Sequence, residues 1–181
     1  MRLLPLFLMC CALSAGAVER VSVCFNYGCL AQSEVEISDE RLAEIGRLLK
    51  VAGDAESERK AISTAVGRML AWAGEQSPIR ADRGGNYADE GVYGRMDCID
   101  RSTTTTRLLR LIEAKGMLRF HHVLDPALRR RFLLFEHYSA LIEEREPGAS
   151  DCGCDGEMET DPSKQFVVDS WFFDNGHAAA V

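Results

Sequence analysis

The stretch Arg95-Met96-Asp97-Cys98-Ile99-Asp100-Arg101-Ser102, followed by four threonines and Arg107-Leu108-Leu109-Arg110-Leu111-Ile112, constrains the fold most. It reads as a loop that turns into a helix with a cysteine on its first turn. Asp97 suits the N-cap, and Asp100 three residues on completes a capping-box-like pair. Leu108, Leu109, Leu111 and Ile112 cover too much of the circumference for a surface helix, so the pattern predicts a central helix packed on more than one side. Gly116 is the stop signal. A cysteine at this end of a helix meets unpaired N–H groups and the positive end of the dipole. Both favour the thiolate, the form that attacks carbonyls. The competing reading is a small buried apolar residue, the usual fate of a free cysteine.

Which fate applies depends on the compartment. Residues 1–17 have the form of a secretory signal peptide: Arg2, then an uncharged apolar run from Leu3 to Leu13, then Ala15-Gly16-Ala17 as an A-x-A cleavage site. The run is shorter than the roughly 20 residues that span a bilayer, so no stable membrane insertion is expected after cleavage. Cys10 and Cys11 lie within it and leave with it. The mature chain, 18–181, is short enough for a single domain. Its 20 basic and 28 acidic side chains give a net charge of −8. An exported domain this acidic argues against nucleic acid and anionic membranes as partners. Periplasmic or secreted placement is oxidising, and five cysteines remain: Cys24, Cys29, Cys98, Cys152 and Cys154. An odd number leaves at least one thiol free or paired with another chain. Cys24-Phe-Asn-Tyr-Gly-Cys29 is short and turn-like, which fits a local disulfide. Cys152-Gly-Cys154 would pair with itself only under strain, and could instead hold a metal or pair elsewhere; the sequence does not fix the connectivity, and the economical reading leaves Cys98 as the unpaired thiol.

Around that helix the chain falls into two periodicities. Residues 18–37 alternate weakly and predict a hairpin closed by Cys24 and Cys29. Ser38 and Asp39 open a helix with Leu42, Ile45, Leu48 and Leu49 on one face. A second helix runs from about Ala55 to Gly74, and residues 75–95 form a long polar loop that delivers the chain to Cys98. A loop of this length in a small domain points to function. After Gly116 the period drops from 3.6 to 2. Met117–Leu124, Phe132–Glu143 and Gln165–Phe173 read as strands, with turns at Asp125-Pro126 and Asp174-Asn175-Gly176. Residues 144–164 read as an exposed loop. The fold class is therefore α+β, with helices packed on an antiparallel sheet of at least three strands.

Two polar residues interrupt apolar strand faces. His137 follows Leu133 and Phe135, and Asp169 lies between Val167 and Trp171. A carboxylate buried in an apolar strand is costly unless partnered, and an imidazole on the next strand is a natural partner. Helix with cysteine, strand with histidine and strand with aspartate together supply nucleophile, base and orienter. His121 and His122 compete for the base, but His137 is mid-strand and precedes the aspartate strand. His177, near the end of the chain, reads as solvated. The helix N-terminal cysteine, the histidine of FEHYSALIE and the aspartate of FVVDSWFFDNG resemble the core of the transglutaminase-like, papain-fold cysteine peptidase superfamily, its bacterial exported branch above all. The resemblance covers about Ala55 to Phe173. It implies a papain-like core and thiol-dependent acyl transfer on an amide bond of a protein or peptide, by Cys98, His137 and Asp169, with no cofactor. An oxyanion hole would combine the Cys98 N–H with an amide side chain of the long loop, Gln76 or Asn86.

Two further readings stand beside it. One is a non-catalytic exported domain of the same fold that binds a protein or cell-wall partner. The other is a metal-binding protein using Asp151, Cys152, Cys154 and Asp155 with a histidine. A C-x5-R phosphatase loop is excluded by count, because six residues after Cys98 stands Thr104.

Overall fold

A computed structural model describes residues 18–85, 87–131, 135–145 and 161–181. The signal-like segment and Cys152, Cys154, Asp151 and Asp155 lie outside the described residues, as does Asn86. The architecture is α+β: three helices packed against two small antiparallel sheets.

The N-terminal hairpin forms as the alternation requires, with β1 (Val18–Phe25) paired to β2 (Ala31–Ser38). Val21, Val23, Val35 and Ile37 turn inward while Glu34 and Glu36 face water. A disulfide joins Cys24 to Cys29 with Cα atoms 4.7 Å apart. Ser38 caps α1 (Asp39–Lys50) by accepting from Arg41 N, and Asp54 caps α2 (Ala55–Gln76) through a capping box with Ser57. α2 runs two residues past Gly74 before Ser77 ends it.

The third helix, α3 (Cys98–Ala114), begins with the Asp97–Asp100 capping box. Nine of its residues are buried, from Asp100 to Ile112, so it is the two-sided central helix that its apolar pattern predicts. The threonine run shows how. Thr104 Oγ1 accepts from the Cys24 backbone N at 2.9 Å on the hairpin side, while Thr105 bonds Ser170 at 2.9 Å on the other. Its Leu108, Leu109 and Ile112 share one core with Ile62, Val66 and Met69 of α2 and with Val23 and Val35 of the hairpin.

The second sheet has the order β3-β4-β5, from β3 (His121–Arg131), β4 (Phe135–Glu144) and β5 (Gln165–Val168). Three boundaries differ from the sequence expectation. Residues 117–120 are not strand, because Glu58 of α2 captures the backbone N–H groups of Arg119 and Phe120. Asp125-Pro126 makes no turn. It is absorbed as a bulge, the ladder shifting register between Leu124 and Ala127, which leaves the proline with no bond to donate. The last strand stops at Val168, and Asp169 pairs instead with Ala180 in an isolated bridge. The Asp174-Asn175-Gly176 turn does bring the chain back, with Gly176 at φ 100°, for that one residue pair.

Candidate active site

The N-terminus of α3 is built by two segments docked on it. The β1–β2 turn holds Asn26, Tyr27, Gly28 and Cys29 all at positive φ, between 58° and 67°. Consecutive left-handed residues aim their N–H groups to one side, which makes an anion-binding concavity. The capping-box carboxylates fill it: Tyr27 N and Cys29 N donate to Asp100 at 2.8 and 2.6 Å, and Gly28 N donates to Asp97 at 2.9 Å. Each carboxylate thus serves the helix and the turn at once. Burial, then the Asp97 charge, push the Asp100 carboxyl up to about 6 against the pull of these donors.

The second segment is the long loop. It holds a 3-10 turn at Pro78–Ala81. Beyond it, Asp82 is buried, accepts from Met96 N at 2.9 Å and pairs with Arg101 of α3. Arg101 also donates to Asn175 at 2.9 Å, and Asn175 donates to Ile79 O at 2.9 Å. Gly85 N bonds Trp171 O, Gly84 N bonds Asp174, and a Cβ at Gly84 would meet the Phe173 backbone at 2.4 Å. Helix start, loop and C-terminal turn are therefore one tied assembly.

Cys98 is the free thiol of the described residues, half-buried at the first position of α3. β5 pairs with β4 only from Ala140 to Glu143, so β4 runs on past it, and the Cys98 sulfur meets the backbone N–H of Tyr138 there. Strand alternation and register put Arg129, His137, Ser139 and Asp169 on one face, opposite to Ala140, Ile142 and Val168. His137 Nε2 lies 2.6 Å from Asp169 Oδ2. That oxygen also takes Arg129 at 2.7 Å and Ser139 Oγ at 3.1 Å, while Oδ1 takes Trp171 N at 3.1 Å. Four donors thus converge on one buried carboxylate. With Nε2 engaged by a carboxylate, Nδ1 is the ring nitrogen left to accept a proton. The structure thus joins His137 to Asp169 and sets Cys98 against the backbone of the next residue. Among the described residues no hydrogen bond links the Cys98 sulfur to the His137 ring.

The thiol itself departs from the helix-dipole expectation. Burial pushes it above the ordinary cysteine value, and the charges of Asp97 and Asp169 add to the rise, outweighing the N–H groups of Tyr138 and Cys98. The neutral thiol is the resting form.

The competing histidines have other work. His121 is fully buried, with Nδ1 2.8 Å from Glu58. Burial raises Glu58, but His121 and the Arg119 and Phe120 N–H groups outweigh it and hold the carboxyl below its usual range. His122 pairs with Glu143 at 2.9 Å. Both sit at the far end of the β3–β4 ladder, opposite Glu144 and Glu143, and so roughly 20 Å along the strand from His137. His177 is exposed. The Gln76 amide is spent elsewhere: it exchanges bonds with the Glu36 backbone at 2.8 and 2.9 Å and donates its second N–H to Trp72 O. It locks α2 to β2 and has no donor to offer an alkoxide.

Arg129 and Ser139 are the site residues that sequence reading did not single out. Ser139 shares a strand face with His137, which is a signal of sorts. Arg129 is visible only through the register that places it opposite His137. No helix among the described residues is long and apolar enough to cross a membrane. No family model, curated protein or solved structure matches this chain.

Proposed function

We propose that the protein is a thiol-dependent acyl-transfer enzyme of papain-like or transglutaminase-like type, exported and acting on an amide bond of a protein or peptide. The observation that carries this reading is the His137–Asp169 contact at 2.6 Å on a carboxylate saturated by Arg129, Ser139 and Trp171, with a free cysteine at the adjoining helix N-terminus. Cys98 is the nucleophile, His137 Nδ1 the base, and Asp169 the group that fixes the imidazole. Burial raises the thiol, so a base has to take its proton. The proton moves from sulfur to His137 as the sulfur attacks the carbonyl, and His137 returns it to the leaving amine. Water or an amine then releases the acyl group from the thioester. The Cys98 N–H, one of the orphan donors of the helix start, faces the developing oxyanion.

The raised thiol also favours a second reading, a binding domain of the same fold in which Cys98 is inert. One experiment separates them. In the chain 18–181, Cys98 alkylation by iodoacetamide is followed from pH 6 to 10 by intact mass. Acyl transfer requires a His137-dependent component near neutral pH, lost in His137→Ala. A rate that tracks only simple thiol ionisation, unchanged in His137→Ala, establishes the binding domain.

A further inference from the structure

A second sulfur centre lies on the hairpin side of α3. Cys24 Sγ, Cys29 Sγ and a carboxylate oxygen of Asp100 all stand within 4.8 Å of one another. Arg107, two turns further along α3, directs one guanidinium nitrogen at Ser22 O, Gln32 Oε1 and Cys24 Sγ, at 3.0, 3.0 and 3.4 Å. Among the described residues no carboxylate pairs with that cation. The two sulfurs differ in access. Cys24 is fully buried, whereas Cys29 is partly exposed between the exposed Gly28 and Leu30. The backbone around them is held by bonds that need no disulfide. Cys24 N donates to Thr104 at 2.9 Å, Asn26 N to Arg95 O at 2.7 Å, and Gly94 N to the Asn26 side chain at 2.8 Å. The turn N–H groups on Asp97 and Asp100 add three more. Opening the S–S bond therefore leaves both sulfurs in place to close again.

We propose that Cys24–Cys29 is a thiol–disulfide exchange site, opened by a dithiol reductant, with Cys29 Sγ the sulfur attacked, Cys24 the leaving group and Asp100 the acid. This goes beyond the acyl-transfer reading and does not depend on it. A reductant thiolate bonds to Cys29 Sγ, the Cys29–Cys24 bond breaks, and its electron pair leaves on Cys24 Sγ. A thiol leaves faster the better its thiolate is stabilised, and the Arg107 cation stands at that sulfur. The Asp100 carboxyl, pushed up to about 6 by burial and then by the Asp97 charge, is partly protonated in mildly acidic solution and gives its proton to Cys24. The second reductant thiolate then attacks the reductant sulfur of the mixed disulfide. Cys29 leaves and takes a proton from water. Two electrons have passed to the protein, and the reductant carries the new disulfide.

The test follows reduction of the oxidised chain 18–181 by dithiothreitol, quenched by alkylation and read by mass. Each rate is divided by that of oxidised glutathione in the same solution. Arg107→Gln should slow reduction several-fold, and Arg107→Lys should restore most of it. Asp100→Asn should slow it at pH 6 and not at pH 8, where the native carboxyl is ionised. With glutathione in place of the dithiol, digests should carry the adduct on Cys29. The reduced protein should still melt cooperatively and regain the same pair on reoxidation. A rate that ignores Arg107, an adduct on Cys24, or an Asp100→Asn variant unslowed at pH 6 overturns the proposal. So does a rate that stops rising with dithiothreitol at the rate of global unfolding, the behaviour of a disulfide that only staples the hairpin.

Discussion

At the scale of single residues the site turns on Asp169, whose two oxygens serve four donors. One of these, Arg129, is a positioning residue: it reaches the reacting groups only through the carboxylate. Asp169→Asn keeps the shape but replaces one acceptor with an N–H group. An amide oxygen facing His137, Arg129 and Ser139 turns the NH2 group on to the Trp171 N–H, and the reverse placement turns it on to those three donors; either way the charge that holds the imidazole is lost. The His137-dependent part of Cys98 alkylation near pH 7 should fall at least about tenfold. Arg129→Gln separates orientation from charge. With the guanidinium gone, the negative charge beside the imidazole is no longer offset, so the acid limb of the alkylation profile should move to higher pH. Arg129→Lys, which restores the charge, should return it. A merely structural arginine would lower the melting temperature in both variants and leave the limb in place.

At the scale of elements, the β1–β2 turn and the start of α3 act as one unit, because three turn N–H groups close on two capping carboxylates. The coupling has a sign in pH. Asp100, at about 6 in the folded protein, lies above the roughly 3.9 of an unfolded aspartate. The folded state therefore binds the proton more tightly. That contribution to stability is fully present below about pH 4 and is lost as pH rises through 6. Melting temperatures of the native chain relative to Asp100→Asn should fall from pH 4 to pH 7, since the amide cannot titrate. A difference that stays flat, or rises, across that window refutes the account. Much at this scale was legible in sequence: the capping box, the two-sided helix, the hairpin and its disulfide, and the switch to strands after Gly116. What was not legible shares one physical reason. Asp125-Pro126 carries a turn signal but lies opposite a strand long enough to pair straight through it as a bulge. Gln76 looked like a spare amide at the mouth of a loop until the Glu36 backbone, forty residues away in the chain, claimed it. Local pattern sets local conformation, whereas partners distant in sequence decide which polar groups remain free.

At the scale of the whole molecule, Arg101, Asp82 and Asn175 bind α3, the long loop and the C-terminal turn into one body, a pairing that no local sequence pattern signals. Arg101 and Asp82 are almost wholly buried, and burial still pushes the Asp82 carboxyl up despite the guanidinium upon it. The cost of taking both charges out of water is therefore large, and their attraction offsets it only while both are present. Arg101→Met leaves a buried carboxylate that accepts from Met96 N alone, and Asp82→Asn leaves a buried cation with an amide in place of a charge. Each single change should destabilise the protein by about 3–5 kcal/mol in urea or thermal unfolding. The double change, Arg101→Met with Asp82→Leu, removes both desolvated charges and should recover a large part of that loss, giving a coupling of more than about 1 kcal/mol between the two sites. Stability and site geometry should then part company. The double variant regains its melting temperature, but Arg101 no longer holds Asn175. The C-terminal turn that carries Trp171 and Phe172 to His137 is thereby loosened, so the His137-dependent part of Cys98 alkylation should stay low. Recovery of both together would mean that the ion pair holds the core and nothing else. Recovery of neither would mean that the pairing is worth more than its two desolvation costs.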